Sequence, residues 1–340
     1  MRKRGTTALL TVLLIGMCLM SGCTRAMNRY QTTWLDLFDT VTTVTGYAPS
    51  EKAFQEETQR IYDGLRRYHQ CYDIYHEFPG MVNLCTMNAR AGETLTVEPE
   101  IIDLLTEAKR ICALSGEKTD VTMGALLALW HDARETGIAK PEEARLPAEE
   151  TLREAAEHRG FDRVDMDAEN RTVRFTDPLL RLDAGALGKG LAVQRVGERT
   201  PAGYLISVGG NVYATGPKAD GSDWIIGIQD PDGADGAFLH KLRLSAGAVV
   251  TSGDYQRFYV VNGQAYHHII DPDTLYPGRK WRAVTVLCQN SGLADALSTS
   301  LFLLSREEGQ DLLDQMGAEA MWMDGNGTVF FSPGYEARMQ

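Results

Sequence analysis

An aspartate and a threonine four residues apart are the residue pair best suited to bind a metal. They lie in the segment Ala294-Asp295-Ala296-Leu297-Ser298-Thr299. On a helix, residues four apart share one face, so Asp295 and Thr299 would present a carboxylate and a hydroxyl together. Such hard oxygen ligands suit Mg²⁺, which completes its octahedron with water and substrate phosphates. An N-cap aspartate followed by a core threonine explains this segment equally well.

A pair of histidines beside a turn supplies a candidate general base. Thr251-Ser252-Gly253-Asp254-Tyr255 is followed by Tyr266-His267-His268-Ile269-Ile270-Asp271-Pro272. His268 can act as a base because the unperturbed pKa of imidazole lies near neutrality. Adjacent residues on a strand point to opposite faces, so only one of the two histidines can face a given site. This argues against a zinc site here.

Two glycine-bearing segments could let the backbone approach a charged or flat ligand. In Leu182-Asp183-Ala184-Gly185-Ala186-Leu187-Gly188-Lys189-Gly190, backbone N–H groups at a helix N-terminus could reach an anion. The glycine spacing matches neither a Walker A loop nor a dinucleotide-binding turn, and a turn with only a packing role is an equal alternative. Taken alone, Ser207-Val208-Gly209-Gly210-Asn211-Val212 favours a hairpin turn.

Hydrophobic periodicity predicts the elements that position these residues. Helices are expected at 51–72, 98–114, after Asp120, at 188–199 and 294–304, with exposed helices between 141 and 159. Strands are expected at 34–47, 173–175, 204–208, 224–228, 248–251, 257–261 and 283–288. Their mixed order and the hairpin signal Val261-Asn262-Gly263-Gln264 predict an α+β fold with a largely antiparallel sheet and packed helices, as a single body over 34–340.

The first residues predict export and a lipid anchor. Three basic residues at positions 2–4 precede an apolar run over 8–20, which ends in Ser21-Gly22-Cys23. We expect a lipoprotein signal peptide over 1–22, lipid on Cys23 and a tether over 23–33, with the protein on the extracytoplasmic face of the cell membrane. Ordinary secretion without the lipid is the alternative.

The net charge and the cysteine positions argue against several classes of function. A formal net charge of -12 argues against nucleic acid and against a basic surface for anionic lipids. An acidic protein that binds a polyanion needs a metal ion or well-aimed backbone N–H groups. The downstream cysteines lack CxxC spacing, which favours core thiols or at most one disulfide over a metal site; they are Cys71, Cys85, Cys112 and Cys288.

Together, the four chemistry-bearing segments resemble the FAD:protein FMN transferases, the ApbE-type flavin transferases once called thiamine-biosynthesis lipoproteins. The similarity covers nearly all of the chain after the tether and implies an ApbE-like single body. It identifies Asp295 and Thr299 with the magnesium ligands. Ala186 matches a third ligand position, where only its backbone carbonyl could bind, since alanine has no side-chain oxygen.

The resemblance also implies which residues contact FAD. Asp183 and Lys189 match flavin-nucleotide contacts, and Ile270 matches an apolar residue packed on FAD. Thr122, Met123 and Gly124 resemble the segment that lines the adenine side. Tyr75 corresponds to an aromatic contact, and Phe38 begins Phe38-Asp39-Thr40 where many members have Met-Gly-Thr.

The implied reaction is magnesium-dependent transfer of FMN from FAD to a Thr or Ser hydroxyl of a partner protein, with AMP released. His268 is our candidate base. Acceptors of the family carry a Ser/Asp-Gly-Ala-Thr/Ser element that this chain lacks. The partner is therefore expected to be a separate extracytoplasmic or membrane electron-transfer flavoprotein. An FAD pyrophosphatase that releases FMN and AMP, and a flavin-binding lipoprotein without catalysis, are the competing hypotheses.

Overall fold

A large antiparallel sheet organises the chain. The computed structural model describes residues 26–234 and 236–340, so the predicted signal peptide over 1–22 and the predicted lipidation site Cys23 lie outside the described residues. Within them, eight strands form one sheet in the order β1-β2-β6-β7-β10-β13-β14-β15, with every neighbouring pair antiparallel. These strands are β1 (Asn28–Leu37), β2 (Thr40–Ala48), β6 (Tyr204–Val208), β7 (Asn211–Ala214), β10 (Gly247–Gly253), β13 (Ala283–Cys288), β14 (Glu319–Met323) and β15 (Val329–Phe331).

The first hairpin corrects two of our predictions. The single strand predicted over 34–47 is wrong, because the chain reverses at Phe38 and Asp39 between β1 and β2. Both residues have positive φ angles, 55° and 50°. These angles form the two-residue turn that hairpins prefer, although neither residue is the Gly or Asn usually found there. The tether predicted over 23–33 is wrong from residue 28, where β1 begins. The side chains of β1 are polar and mostly exposed, so the strand shows no pattern of hydrophobic residues from which it could be predicted.

Helices pack against the sheet and against one another. Those predicted at 51–72, 98–114, 188–199 and 294–304, and after Asp120, are confirmed with small changes of boundary. The observed helices are α1 (Glu51–Tyr72), α2 (Leu84–Ala89), α3 (Pro99–Leu114), α4 (Gly124–Ala139), α5 (Glu149–Ala156), α6 (Gly188–Gly197), α7 (Ser291–Leu303) and α8 (Arg306–Met316). The predicted α+β class with a largely antiparallel sheet is confirmed.

Smaller sheets complete the fold. They are the hairpin β8 (Trp224–Gln229) and β9 (Phe238–Leu244), the hairpin β11 (Phe258–Val261) and β12 (Gln264–His267), and the sheet of β3 (Leu95–Thr96), β5 (Thr172–Phe175) and β4 (Val164–Asp167). The predicted hairpin turn at Asn262 and Gly263 is confirmed, with φ angles of 51° and 80°. In the described part of the chain, no helix combines the length and apolar character needed to span a membrane.

The most buried helix, α7, lies between α6 and the sheet. Its residues Leu297, Leu301 and Phe302 are buried against strands β10 and β13. The side chain of Asn290 caps its N-terminus by accepting a hydrogen bond from the Leu293 N–H at 2.8 Å. Asp295 therefore lies inside the helix, and the N-cap interpretation of this aspartate is wrong. A buried carboxylate in a helix interior needs compensating partners, which the site supplies.

Gly190 sets how closely α6 approaches α7. A Cβ at this position would overlap the Ser291 carbonyl oxygen and lie 2.5 Å from the Cβ of Asp295. We expect Gly190→Ala to lower the free energy of unfolding by about 1–3 kcal/mol, because neither neighbour can move without disturbing the core. Urea unfolding measures the change. Gly325→Ala, where nothing lies within 4 Å of the added methyl group, is the control, and equal stabilities of the two variants would contradict the prediction.

Candidate active site

A cavity of about 510 Å³ brings together most of the predicted site residues. Its wall combines the β1–β2 turn, the N-terminal end of α6, one face of α7 and the segment after β12. Ten predicted residues line it: Phe38, Tyr75, Met123, Asp183, Ala186, Lys189, His268, Ile270, Asp295 and Thr299. A cavity of this size lies within the range of about 300–1,000 Å³ that is typical of small-molecule sites.

Two predicted residues, Thr122 and Gly124, do not line the cavity. The Thr122 hydroxyl is fully buried, donates to Oδ1 of Asp120 at 2.6 Å and accepts from the Gly160 N–H at 2.7 Å. The Gly124 N–H donates to the Arg181 carbonyl at 2.9 Å, and a Cβ there would lie 2.6 Å from the same oxygen. Both residues hold the segment that presents Met123 to the cavity.

Asp295 is the buried charge at the centre of the site. Its Oδ2 accepts a hydrogen bond from the Gly190 N–H at 2.8 Å and lies 3.8 Å from Nζ of Lys189. Burial raises the pKa of Asp295, while Lys189 and the Gly190 N–H lower it. Asn211 also lines the cavity, and its side-chain amide likewise lowers the pKa of Asp295. The carboxylate thus lies in a polar environment that a cation would complete.

The bond between Gly190 and Asp295 leaves a backbone carbonyl free. In a regular helix the Gly190 N–H would bond to the carbonyl of Ala186, four residues earlier. Here it bonds to Asp295, and no hydrogen bond reaches the Ala186 carbonyl from the part of the chain that the structure describes. Thr299, one turn after Asp295 on α7, lines the same cavity.

A carboxylate, a hydroxyl and a free carbonyl make an all-oxygen donor set. Over residues 26–234 and 236–340, no group of three or more His, Cys, Asp or Glu side chains is arranged to hold a metal. Mg²⁺ does not need one, because it binds through one or two carboxylates and takes its remaining ligands from phosphates and water. Asp295, Thr299 and Ala186 therefore fit the implied magnesium ion. The thiols of Cys71, Cys85, Cys112 and Cys288 are free.

Buried hydrogen bonds fix the loops around α7. The side-chain amide of Asn88 brackets Leu182, donating to its carbonyl at 2.9 Å and accepting from its N–H at 2.7 Å. The Ser252 hydroxyl lies 2.7 Å from that of Ser298 and ties β10 to α7. Ser298 is followed by Thr299, and Leu182 is followed by Asp183. These hydrogen bonds therefore position two predicted site residues.

The glycine pair after β6 forms a hairpin turn that also faces the cavity. Gly209 and Gly210 have φ angles of 56° and 88° and connect β6 to β7, as the hairpin interpretation expected. Gly209 nevertheless lines the cavity, and its N–H donates to the Val41 carbonyl at 3.1 Å. A Cβ at Gly209 would lie 2.6 Å from Oγ1 of Thr40. The turn therefore brings backbone to the site and packs against the first hairpin.

His268 differs from our expectation in its proton affinity. Burial, assisted by the positive charge of Arg257, lowers its pKa to about 3. Its Nδ1 lies 3.3 Å from the Arg257 carbonyl, and its backbone N–H donates to the same oxygen at 3.1 Å. The imidazole is thus neutral near pH 7 and free to accept a proton, although its basicity is lower than that of a solvated histidine.

Cationic side chains missed by the sequence analysis surround His268. Arg257 and Arg134 line the cavity, as does the imidazole of His131. Burial raises the pKa of Asp183, against the opposing charge of Arg257, whereas burial and the same charge both lower the pKa of His268. Arg134 donates to Nδ1 of His131 at 2.8 Å. Arg257 forms no ion pair with any carboxylate in the described residues. Its place beside the Ser252-Gly253-Asp254 motif was the available sequence signal, but a strand was expected there.

Apolar and aromatic side chains form the other end of the cavity. Met123 and Ile270 are buried with Trp130 in one cluster, and all three line the wall. Tyr75 is 52% exposed, and its ring lies 5.2 Å from that of His131. Phe38 packs edge-on against His69, whose Nδ1 accepts the Phe38 N–H at 3.2 Å. This end is suited to planar, weakly polar groups.

Comparison with known proteins gives a consistent result. The family model described as "ApbE family" matches residues 38–322. The FAD:protein FMN transferase of Treponema pallidum is 30% identical over 277 residues, which cover 76% of this chain and 75% of that protein. The enzyme of the same name from Haemophilus influenzae is 29% identical over 236 residues, 67% of each chain.

Solved structures show the same fold. The ApbE protein of Thermotoga maritima superposes with a TM-score of 0.81 at 27% identity, covering 92% of this chain and 100% of that one. The flavin transferase ApbE from Vibrio cholerae gives a TM-score of 0.74 at 22% identity, with coverage of 92% and 100%. At that identity the second likeness concerns the fold alone.

The depressed pKa of His268 predicts a pH-dependent stability. Between pH 7 and 5 the unfolded histidine takes up a proton, because its pKa is near 6.5, whereas the folded one, with a pKa of about 3, does not. Stability is therefore lost as the pH falls below 6.5. We expect the wild-type protein to lose about 1–2 kcal/mol more than His268→Asn over this interval. Urea unfolding at several pH values measures the difference, and parallel curves would contradict it.

Proposed function

The chain belongs to the ApbE family, and from that membership and the cavity we propose that it transfers FMN from FAD to a hydroxyl group of a partner protein. AMP is the second product. One observation carries the proposal: a single cavity contains an all-oxygen cation site, a neutral histidine and an apolar end. These features match the diphosphate, the incoming hydroxyl and the aromatic rings that such a transfer brings together.

The cavity suggests how FAD is bound. The diphosphate would lie near Asp295 and Thr299, where Lys189 and Arg257 add positive charge to an acidic protein. Met123 and the apolar side chain of Ile270 would contact the ring systems, and Asp183 would accept hydrogen bonds from the nucleotide. Tyr75 and Phe38 lie at the edge of the same cavity, where they can cover the ligand.

Asp295, Thr299 and the Ala186 carbonyl would hold the magnesium ion. When bound, Mg²⁺ neutralises phosphate charge and acts as a Lewis acid toward the phosphorus under attack. The chain itself supplies the orientation. The Gly190 N–H fixes the Asp295 carboxylate, and the Ser252–Ser298 bond fixes the adjoining turn of α7. Transfer of a phosphoryl group asks a protein mainly for positioning and charge neutralisation.

The proposed chemical step moves one proton and exchanges one P–O bond. Nε2 of His268 takes the proton from the Thr or Ser hydroxyl of the partner. The hydroxyl oxygen attacks the FMN-side phosphorus and forms a phosphoester. The bond between that phosphorus and the bridging oxygen breaks, and AMP leaves with the bridging oxygen. FAD and the partner hydroxyl thus yield FMN-linked partner, AMP and the proton.

The low pKa of His268 is compatible with this role because the substrate is anionic. Burial is the main cause of the low pKa in the free protein, and the charges of Arg257, Lys189 and Arg134 add to it. Diphosphate oxygens bound beside them offset their charges, which raises the proton affinity of the imidazole when FAD is present. The base is therefore held neutral in the free protein and becomes stronger in the complex with its substrate.

The site of action in the cell is part of the proposal. Lipid on Cys23 would hold the enzyme at the extracytoplasmic face of the membrane, after removal of residues 1–22. The partner would be a separate extracytoplasmic or membrane electron-transfer flavoprotein that carries a Ser/Asp-Gly-Ala-Thr/Ser element. Because β1 begins at residue 28, the proposed tether would end at residue 27.

Incubation with FAD, Mg²⁺ and an acceptor domain that carries Asp-Gly-Ala-Thr tests the function. We expect covalent fluorescence on the acceptor, with the mass increase of one FMN, whereas free FMN without modified acceptor would indicate a pyrophosphatase. Asp295→Ala should abolish magnesium-dependent transfer and weaken FAD binding only partly, because the cation site is lost while the other contacts remain. Asp311→Ala, at an exposed position on α8, is the control. Full transfer by Asp295→Ala would refute the proposed cation site.

Arg257 provides a separate test of where the diphosphate binds. A guanidinium–phosphate contact strengthens binding of a dianion but not of a neutral flavin. We expect Arg257→Gln to raise the Kd for FAD about tenfold and to leave the Kd for riboflavin unchanged. Flavin-fluorescence titration measures both constants, with Arg243→Gln on β9 as the control. Equal weakening of both ligands would contradict a phosphate contact.

A further inference from the structure

A second cavity of about 350 Å³ adjoins the first. The two are separated by the hairpin β11–β12 and the short segment that precedes it. Along that segment, Gly253 and Arg257 line the first cavity, whereas Asp254 and Tyr255 line the second. The wall between the cavities is thus one chain segment thick.

The hairpin lines the second cavity and packs against α4. Tyr259 and Tyr266 are paired across the strands and face Trp130, which lines the first cavity. Phe258 and His267 are the next pair, and both line the second cavity. His268 then follows His267 and lines the first cavity. The proposed base therefore belongs to the wall that the second cavity shares.

Two arginines and one aspartate line the second cavity in a protein of net charge -12. Arg279 packs over the ring of Tyr266, 5.2 Å from its centroid, and has no carboxylate within 4.0 Å among residues 26–234 and 236–340. Arg282 pairs with Asp232 at 2.5 Å and lies 4.0 Å from Asp254. The Nε of Arg282 and Oδ1 of Asp254 are nevertheless buried without a hydrogen-bond partner in the described chain.

Exposed apolar side chains extend this surface. Phe258 and Val260 are two residues apart on β11, so they share a face, and they are 40% and 46% exposed. Trp281 and Tyr255 add aromatic surface inside the cavity. Aromatic anchors combined with arginine are typical of the centres of protein interfaces.

We infer that the second cavity binds the segment of the partner protein that carries the accepting hydroxyl. The inference rests on the proposed function, which requires a polypeptide to reach His268 while FAD fills the first cavity. A segment that occupies the second cavity and crosses the wall at residues 254–257 would bring its hydroxyl to the first cavity, which His268 lines. Its occupant is an acceptor with a carboxylate three residues before the accepting hydroxyl, because Arg279 has no carboxylate partner among the described residues, and with an apolar residue against Phe258.

Steady-state transfer to two matched acceptor domains tests the inference. One domain carries Asp-Gly-Ala-Thr and the other Ser-Gly-Ala-Thr at the same position. We expect the wild-type enzyme to have a KM about tenfold lower for the first, because the carboxylate pairs with Arg279. Arg279→Ala should remove this preference, Arg279→Lys should restore part of it, and Phe258→Ala should raise the KM for both domains. The Kd for FAD should stay unchanged in all three variants.

Controls and outcomes separate this inference from the proposed function. Arg243→Ala and Phe238→Ala, on β9, change the same residue types at exposed positions outside both cavities. If the wild-type enzyme labels neither domain, the proposed function itself fails. If it labels both and Arg279→Ala keeps the wild-type preference, the docking inference is overturned. A parallel loss of FAD binding in Arg279→Ala would also overturn it, because the residue would then act on the first cavity.

Discussion

The hydrogen bond from the Gly190 N–H to the Asp295 carboxylate is the interaction on which the site depends. At 2.8 Å it joins the first turn of α6 to the middle of α7, the most buried helix. Position 190 must be glycine, because a Cβ there would overlap atoms of α7. The bond also takes the Gly190 N–H away from the carbonyl of Ala186. One contact thereby fixes a carboxylate and frees a carbonyl on the same side of the cavity.

The distribution of charge follows from the same constraint. A buried carboxylate is costly unless positive charge or hydrogen bonds compensate it, and burial does raise the pKa of Asp295. The cavity therefore contains cations in an otherwise acidic protein. Lys189 lies beside the carboxylate, whereas Arg257 stays free to meet an anionic ligand. Burial, assisted by those same charges, lowers the pKa of His268 and keeps its imidazole neutral.

The β11–β12 hairpin gives the molecule two adjoining sites with different characters. Its period-two alternation sends Tyr259 and Tyr266 toward α4, and Phe258 with His267 toward the second cavity. β11 packs against α4, and on its other face Phe258 and Val260 are 40% and 46% exposed. A transferase for a protein substrate needs such an arrangement, because the nucleotide must be enclosed while the acceptor enters from outside.

Local patterns determined much of this fold. Helical stripes predicted α1 within its observed bounds, and the Asn262-Gly263 turn predicted its hairpin, because both signals act over a few residues. The turn at Phe38 and Asp39 could not be predicted, since its positive φ angles are imposed by strand pairing and not by residue type. The polar strand β1 was missed for a related reason: its stability comes from β2 and from packing of Tyr30 on Phe54.

For the site, the sequence by itself determined which residue types could do chemistry and that Asp295 and Thr299 share a helix face. Only the tertiary structure decided that the Ala186 carbonyl is free, that Arg257 faces the cavity and that the pKa of His268 falls to about 3. These properties arise from burial and from contacts between segments far apart in the chain, which no local pattern encodes.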